Sequence, residues 1–267
     1  MATFKQQIFL AATPDFFPSV GFKMACELAS AYRKDVCFLG VPFKKGQDLS
    51  SYDSVFAQWV NQNSEACPDV QINYRVMSPL DDFTDIIEQS EASMLIFQLN
   101  DKAWPFSHPQ KLLDVCRSLR VPYFFVREGQ NISFDRILVP VGFLMEEREK
   151  GPFSSSLGRY FNSEIMLMPA KDYGSRARQT ADAIRTLLEK SDVKFQEMEA
   201  HKDSFHVEIE AADVAASYNV SLLMISASRD YGLDDILFGP KELKVIKRST
   251  VPVMVINPRG DLYALCG

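Results

Sequence analysis

The chain is written twice. The run Gln7-Ile8-Phe9-Leu10-Ala11-Ala12-Thr13 opens it, and Arg136-Ile137-Leu138-Val139-Pro140-Val141-Gly142 opens it again. Ser93-Met94-Leu95-Ile96-Phe97 returns as Ser221-Leu222-Leu223-Met224-Ile225, and Val121-Pro122-Tyr123-Phe124-Phe125-Val126 as Val251-Pro252-Val253-Met254-Val255-Ile256. The three offsets, 129, 128 and 130 residues, imply one duplicated unit. A chain of 267 residues is long enough to give each copy its own core. The polar, glycine-bearing stretch Arg127-Glu128-Gly129-Gln130-Asn131 is the expected linker. Domains are therefore expected at 1–129 and 130–267, and any site must be sought in both.

Within each copy, short apolar runs alternate with helix-period segments. In the first, Ile8–Ala12, Val36–Val41, Val70–Val76, Met94–Leu99 and Tyr123–Val126 read as strands. Helices are expected at Gly21–Tyr32, Tyr52–Val60, Asp82–Gln89 and Pro109–Leu119. In the second, strands are expected at Ile137–Val141, Ile165–Met168, Val193–Met198, Leu222–Ser226 and Val253–Ile256. Helices are expected at Ser175–Glu189, Val207–Ser217 and Lys241–Lys247, with a weaker one at Pro152–Phe161, whose serines and Gly158 lower helix propensity. Strands separated by helices of about a dozen residues imply βαβ units and a parallel sheet. The fold expected is α/β: two tandem open-sheet domains, each a mainly parallel five-stranded sheet with helices on both faces. Ligands in such sheets sit beyond the carboxyl ends of the strands, which directs attention to the loops after Ala12, Phe97, Val141 and Ile225.

Bulk properties narrow the function classes. The formal net charge of −6 argues against a general nucleic-acid or anionic-membrane binder. No apolar stretch approaches the ~20 residues a bilayer requires, and the N-terminal apolar run reads as a first strand rather than a leader. Five scattered cysteines, Cys26, Cys37, Cys67, Cys116 and Cys266, contain no CxxC pair. They read as free thiols in a reducing cytoplasm, with Cys26, Cys37 and Cys116 filling core space.

The second half, from the ILVPV strand through Leu222-Leu223-Met224-Ile225-Ser226 to the closing Val251-Pro252-Val253-Met254-Val255-Ile256, resembles a universal stress protein domain over Ile137–Asn257. The first half resembles one more weakly over Ile8–Arg127, and the whole resembles a tandem universal stress protein. The resemblance implies an adenine nucleotide α-hydrolase-like fold and a role in stress response. It also implies internal pairing of the two domains in place of the dimer that single domains form, with a further homodimer open.

Nucleotide-binding members of that family carry Gly-x-x-Gly, nine residues, then Gly followed by Ser or Thr, and an aspartate just after the first strand. Glycines let backbone N–H groups approach phosphate, and a helix N-terminus adds partial positive charge. Carried over, those positions are Ser226, Arg229, Gly239 and Pro240, and the acidic position is Gly142 in the second half and Thr13 in the first. Only Gly239 keeps the family residue. Arg229 brings a side chain where backbone should approach, and Pro240 lacks both N–H and hydroxyl. Gly239-Pro240-Lys241-Glu242 reads as an ordinary helix start, with Glu242 competing with any phosphate. Arg229 and Lys241 offer a rescue through side-chain charge.

The expected function is therefore a non-catalytic stress-response protein that binds an unidentified protein partner or small ligand, with no cofactor and no metal. The alternative is an adenine-nucleotide switch or weak ATPase using ATP at a rearranged site built from Gly142, Ser226, Arg229, Gly239, Pro240 and Lys241. In the first half, Trp104 and Phe106 offer either a stacking surface for an adenine or an aromatic metabolite, or packing between the domains or at an oligomer contact. His201 and His206 lack the spacing that puts two metal ligands on one helical face, and read as capping or loop residues. Glu146-Glu147-Arg148-Glu149-Lys150 is a mixed charged run that reads as a solvated loop or a helix start. No nucleophile elbow, Walker A loop or G-x-G-x-x-G is present.

Overall fold

The computed structural model describes residues 6–42, 49–67, 69–77, 83–90, 92–228 and 240–258. The chain divides into two compact units, Met1–Gln130 and Asn131–Gly267. The first runs β1 (Gln7–Ala12), α1 (Ser19–Tyr32), β2 (Asp35–Gly40), α2 (Ser50–Asn63), β3 (Ile72–Val76), α3 (Phe83–Gln89), β4 (Ala92–Leu99), α4 (Pro109–Cys116) and β5 (Tyr123–Arg127). Its strands lie in the order β3-β2-β1-β4-β5. All neighbours are parallel, with Ile8 opposite both Val36 and Met94. The central strands are buried on both faces, which explains their unbroken apolar runs.

The second unit runs β6 (Arg136–Val141), a 3-10 turn (Met145–Glu149), α5 (Lys150–Phe161), β7 (Glu164–Pro169), α6 (Arg176–Lys190) and β8 (Phe195–Glu197). It continues with α7 (Val207–Val214), a second 3-10 turn (Ala215–Tyr218), β9 (Leu222–Ser226), α8 (Lys241–Arg248) and β10 (Val253–Ile256). Its order is β10-β9-β6-β7-β8, again all parallel. In each unit the chain winds outward from the central strand, then returns to its other side. Right-handed crossovers wound in opposite directions put helices on both sheet faces. The reversal opens a crevice at the carboxyl ends of β1 and β4 in the first unit, and of β6 and β9 in the second.

The expected α/β class and parallel strands are present, with differences at the ends of elements. α5 starts at Lys150, a full half-turn before the expected Pro152. Its small residues face inward: Gly151, Ser154, Ser155 and Gly158 are buried. A Cβ at Gly158 would collide with Val193 Cγ1, so low propensity there is the condition for close packing. β8 shrinks to three residues, and α7 tightens into a 3-10 turn at Ala215, capped by Asn219 in the left-handed region. In the expected linker, Gly129 has φ +78°, a conformation that glycine adopts without strain.

The core of the first unit is aromatic where α1 and α2 cover β2. Phe38 of β2 stacks on Phe22 of α1 at 5.4 Å, and packs against Trp59 of α2 at 5.6 Å. Phe56 meets Trp59 edge-on at 4.8 Å. Next to this cluster the cysteine reading needs correction. Cys26 of α1 and Cys67, just past α2, form a disulfide with Cα atoms 5.7 Å apart. The residues are 41 apart in sequence, and only the packing of α1 beside the end of α2 brings them together. Cys37 and Cys116 are the buried free thiols expected, and burial pushes Cys37 up to about 12. Cys266 lies outside the described residues. Among the described residues no helix is long and apolar enough to cross a membrane.

Candidate functional site

At the carboxyl ends of β6 and β9 lies a cleft of ≈ 600 Å³, within the range of small-molecule sites. Its wall includes Gly142 and Phe143 after β6, Ser226, Ala227 and Ser228 after β9, Ser204 to His206 before α7, and Lys241 and Lys244 of α8. Three residues expected at the site, Gly142, Ser226 and Lys241, thus line one cleft. Pro240 is the residue before α8, with an extended ψ of 157°, rather than the first helical residue. Arg229 and Gly239 lie outside the described residues.

Behind the lining residues Glu147, Ser226 and Lys241 lies an ionic network. Lys150, at the start of α5, is fully buried, and Glu147, Glu208 and Glu242 are nearly so. Lys150 Nζ donates to Pro140 O at 2.7 Å, to Glu147 Oε2 at 2.7 Å and to Glu208 Oε1 at 3.1 Å. Glu208 Oε1 also accepts the Ser226 N–H at 2.9 Å. Lys241 Nζ lies 3.0 Å from Glu208 Oε2, an ion-pair contact whose angles fall outside hydrogen-bonding geometry. Burial alone would raise Glu208, but Lys241, Lys150 and the Ser226 N–H outweigh it and hold the carboxyl at about 2. Lys241 is shifted upward: burial works against its charge, and Glu208, Glu147 and Glu242 overcome that. Glu242 is shifted the other way from Glu208, upward, because burial dominates its neighbouring cation.

This network corrects the reading of 146–150 as solvated. Glu147 and Lys150 are one helical turn apart and point into the core, so two members of the run are among the most buried charges described. Sequence reasoning also missed Glu208. The signal available was weak: the i, i+3 pair Glu147 and Lys150 directly before the small-residue face of α5. Nothing local marks Glu208 as their partner.

Among the described residues, four backbone N–H groups on the cleft wall are already engaged. The Gly142 N–H donates to Glu147 Oε2 at 3.2 Å, and the Phe143 N–H to Ser204 Oγ at 2.9 Å. The Ala227 N–H is held by Ile256 O at 2.9 Å, and the Ser228 N–H by Glu242 Oε1. A Cβ at Gly142 would stand 3.3 Å from Ser204 Cβ and Oγ, so the aspartate of the family motif would press on Ser204. Ser204 is itself fixed by Asp172, donating its hydroxyl to Oδ2 at 2.5 Å. At the rim, Phe143 and Phe205 meet edge-on at 5.6 Å, with Phe205 71% exposed. His206 precedes α7, and its Nδ1 hydrogen-bonds Asp203 at 2.7 Å, which pulls Asp203 below the usual carboxylate range. The His201 N–H donates to Glu210. Both histidines sit in the loop and cap positions expected.

At the equivalent place in the first unit the contact is between neutral groups. Gln98 of β4 is buried and its Oε1 accepts the Gly21 N–H at 2.8 Å. Gly21 stands at the sequence offset of Lys150, and Gln98 at that of Ser226. Phe106 is buried and presents no stacking surface. Trp104 is 46% exposed and packs edge-on against His108 at 4.6 Å.

No protein-family model matches the chain, and no curated protein matches it. Solved structures do match in fold. A universal stress protein from Archaeoglobus fulgidus superposes with a TM-score of 0.66 at 15% identity, over 96% of this chain and 97% of that one. A functionally unknown protein from Pseudomonas aeruginosa PAO1 gives 0.66 at 15% identity, over 98% and 95%. The cytoplasmic domain of a prokaryotic cation chloride cotransporter gives 0.54 at 13% identity, over 94% and 95%. At such identities the likeness is one of fold: the chain has a universal-stress-type α/β fold along its whole length.

Proposed function

We propose that this chain is a non-catalytic, universal-stress-type binding protein, a tandem of two such domains whose nucleotide motif is degraded. It acts through a protein partner or a small ligand and not through ATP. The observation that carries this reading is the Glu208 carboxylate, which holds the Ser226 N–H at 2.9 Å and faces both cations, Lys150 and Lys241. A phosphate drawing on these donors would have to displace this carboxylate and those of Glu147 and Glu242, which hold the Gly142 and Ser228 N–H groups. A like charge held on these donors opposes phosphate binding there, and among the described lining residues Lys244 is the lysine left to attract it. The likeness to a transporter's cytoplasmic domain is compatible with a partner-binding role, because it shows the same fold without fixing a ligand.

The test is calorimetric titration of Mg²⁺–ATP into protein purified without nucleotide, at two or more temperatures. The expected result is no binding heat. Stoichiometric, micromolar binding would overturn the proposal and favour the adenine-nucleotide switch.

A further inference from the structure

We propose that the outer edge of β3 docks a second copy of this chain, the two β3 strands pairing antiparallel about a two-fold axis at Tyr74. This edge belongs to the first unit and does not involve the cleft of the second.

The register sets which backbone groups are free. β3 pairs with β2 alone, Ile72 opposite Val36, Tyr74 opposite Phe38 and Val76 opposite Gly40. The Val36 N–H donates to Gln71 O and the Met77 N–H to Gly40 O, so Gln71, Asn73, Arg75 and Met77 turn their backbone groups toward β2. The N–H and C=O of Ile72, Tyr74 and Val76 therefore point away from it, and among the described residues none bonds to them. Such a row of unpaired groups is a template for another strand. The outer strand of the second unit, β8, is protected: it has three residues, and its Glu197 is ion-paired to Arg178 and Arg185. β3 has five residues, no proline, and Arg75 as its single charge.

A second β3 is the partner that fits, because the edge is self-complementary. With the axis at Tyr74, Ile72 lies opposite Val76 of the second copy and the two Tyr74 residues face each other, and each such pair exchanges both of its N–H···O bonds. Tyr74 is 36% exposed and stacks on Phe56 of α2 at 6.2 Å, so it is held in place to form a cross-strand aromatic pair. Arg75, which donates to Ser90 Oγ at 2.6 Å, comes opposite the neutral amide of Asn73. Moving the axis to Arg75 would set two guanidinium groups directly opposite each other. Moving it to Asn73 would set Val76 opposite Val70, whose N–H is already bonded to Cys67 O.

A strand pair of this length falls short of a standard interface, so the dimer is a weak one, with a dissociation constant of roughly 10 μM–1 mM. Sedimentation velocity of the full chain over the same concentrations is expected to show monomer giving way to dimer. Tyr74→Lys removes the aromatic pair and sets like charges opposite each other, and should weaken the dimer by roughly 3- to 30-fold. Asn73→Asp sets a carboxylate opposite Arg75 of the second copy, and should tighten the dimer by roughly 2- to 10-fold. Circular dichroism checks that each variant keeps its fold. A parent that stays monomeric at about 1 mM overturns the proposal. So does a dimer that Asn73→Asp leaves unchanged or loosens, because the contact then lies elsewhere or in another register. If Tyr74→Lys fails to fold without its packing on Phe56, the direction of the Asn73→Asp shift decides alone.

Discussion

The two units share strand order, register and crevice position, yet pair the groups beneath those crevices by different chemistry. In the first, a neutral amide, Gln98, caps the Gly21 N–H, and the adjacent core is a cluster of aromatic rings around Phe38. In the second, Lys150 stands where Gly21 does, and a network of Glu147, Glu208 and Lys241 surrounds it. Non-directional apolar packing and one amide suffice on one side. On the other, every buried charge has to find its partner, and removing one leaves the rest unpaired. A single backbone plan thus tolerates two ways of pairing the groups beneath a crevice, and these differ in how they fail.

The largest expected effects set the two cores against each other. Lys150→Ala should destabilise the second unit by about 3–5 kcal/mol, because Glu147 and Glu208 lose a shared buried cation. Phe38→Ala should cost the first unit about 3–5 kcal/mol through a cavity among the aromatic rings. Both tryptophans, Trp59 and Trp104, belong to the first unit, so fluorescence reports that unit while far-UV circular dichroism reports both. In urea titrations Lys150→Ala should shift the dichroism transition more than the fluorescence one, and Phe38→Ala should shift fluorescence most. Equal shifts of both signals by both variants would break the comparison.

The disulfide sharpens it further. Cys67→Ser opens a covalent loop of 41 residues confined to the first unit, with an expected loss of about 2–4 kcal/mol. Non-reducing peptide mapping checks the bridge, and reductant should lower the fluorescence-detected melting temperature of the parent but not of the variant.

Acid should act mainly on the second unit. The folded carboxyl of Glu208 is depressed to about 2 from 4.5, so the unfolded chain binds the proton first. Its stabilisation is present above pH 4.5 and lost as pH falls toward 2. Glu242, raised by burial, has the opposite sign: its contribution is present below its ordinary value and lost as pH rises through the raised one. Glu208→Gln should flatten the acid limb of the dichroism-detected stability curve, and an unchanged limb would remove Glu208 as its source. The smallest effect belongs to Phe205→Ala at the exposed rim, where stability should change by no more than ~0.5 kcal/mol in the same urea titration.

Much of the architecture was legible because it is written in local periodicity. Runs such as Ile8–Ala12 and Leu222–Ile225 are buried on both faces and therefore continuously apolar, and the helix faces of α1 and α6 repeat at helical spacing. Element ends were less legible. The start of α5 was obscured because its small inward-facing residues look like poor helix formers, although Val193 requires them. Of the residues expected at the site, Gly142 and Ser226 came from a motif and Lys241 from its charge beside that motif, and all three line the cleft. Glu147, Lys150 and Glu208 were not found, because a charged residue's burial depends on partners far away in sequence: Lys150 and Glu208 are separated by 58 positions.

The amino-acid sequence by itself determined that there are two α/β units, where their strands fall and which loops lie at the carboxyl ends, since each follows from patterns within a dozen residues. Tertiary structure alone decided that Cys26 meets Cys67 and that Lys150 is a core residue rather than a surface one. It also decided that the cleft's donors are spent on the chain's own carboxylates. The reason is physical: desolvating a charge is favourable only where several distant groups converge to neutralise it, and convergence is a property of the folded chain.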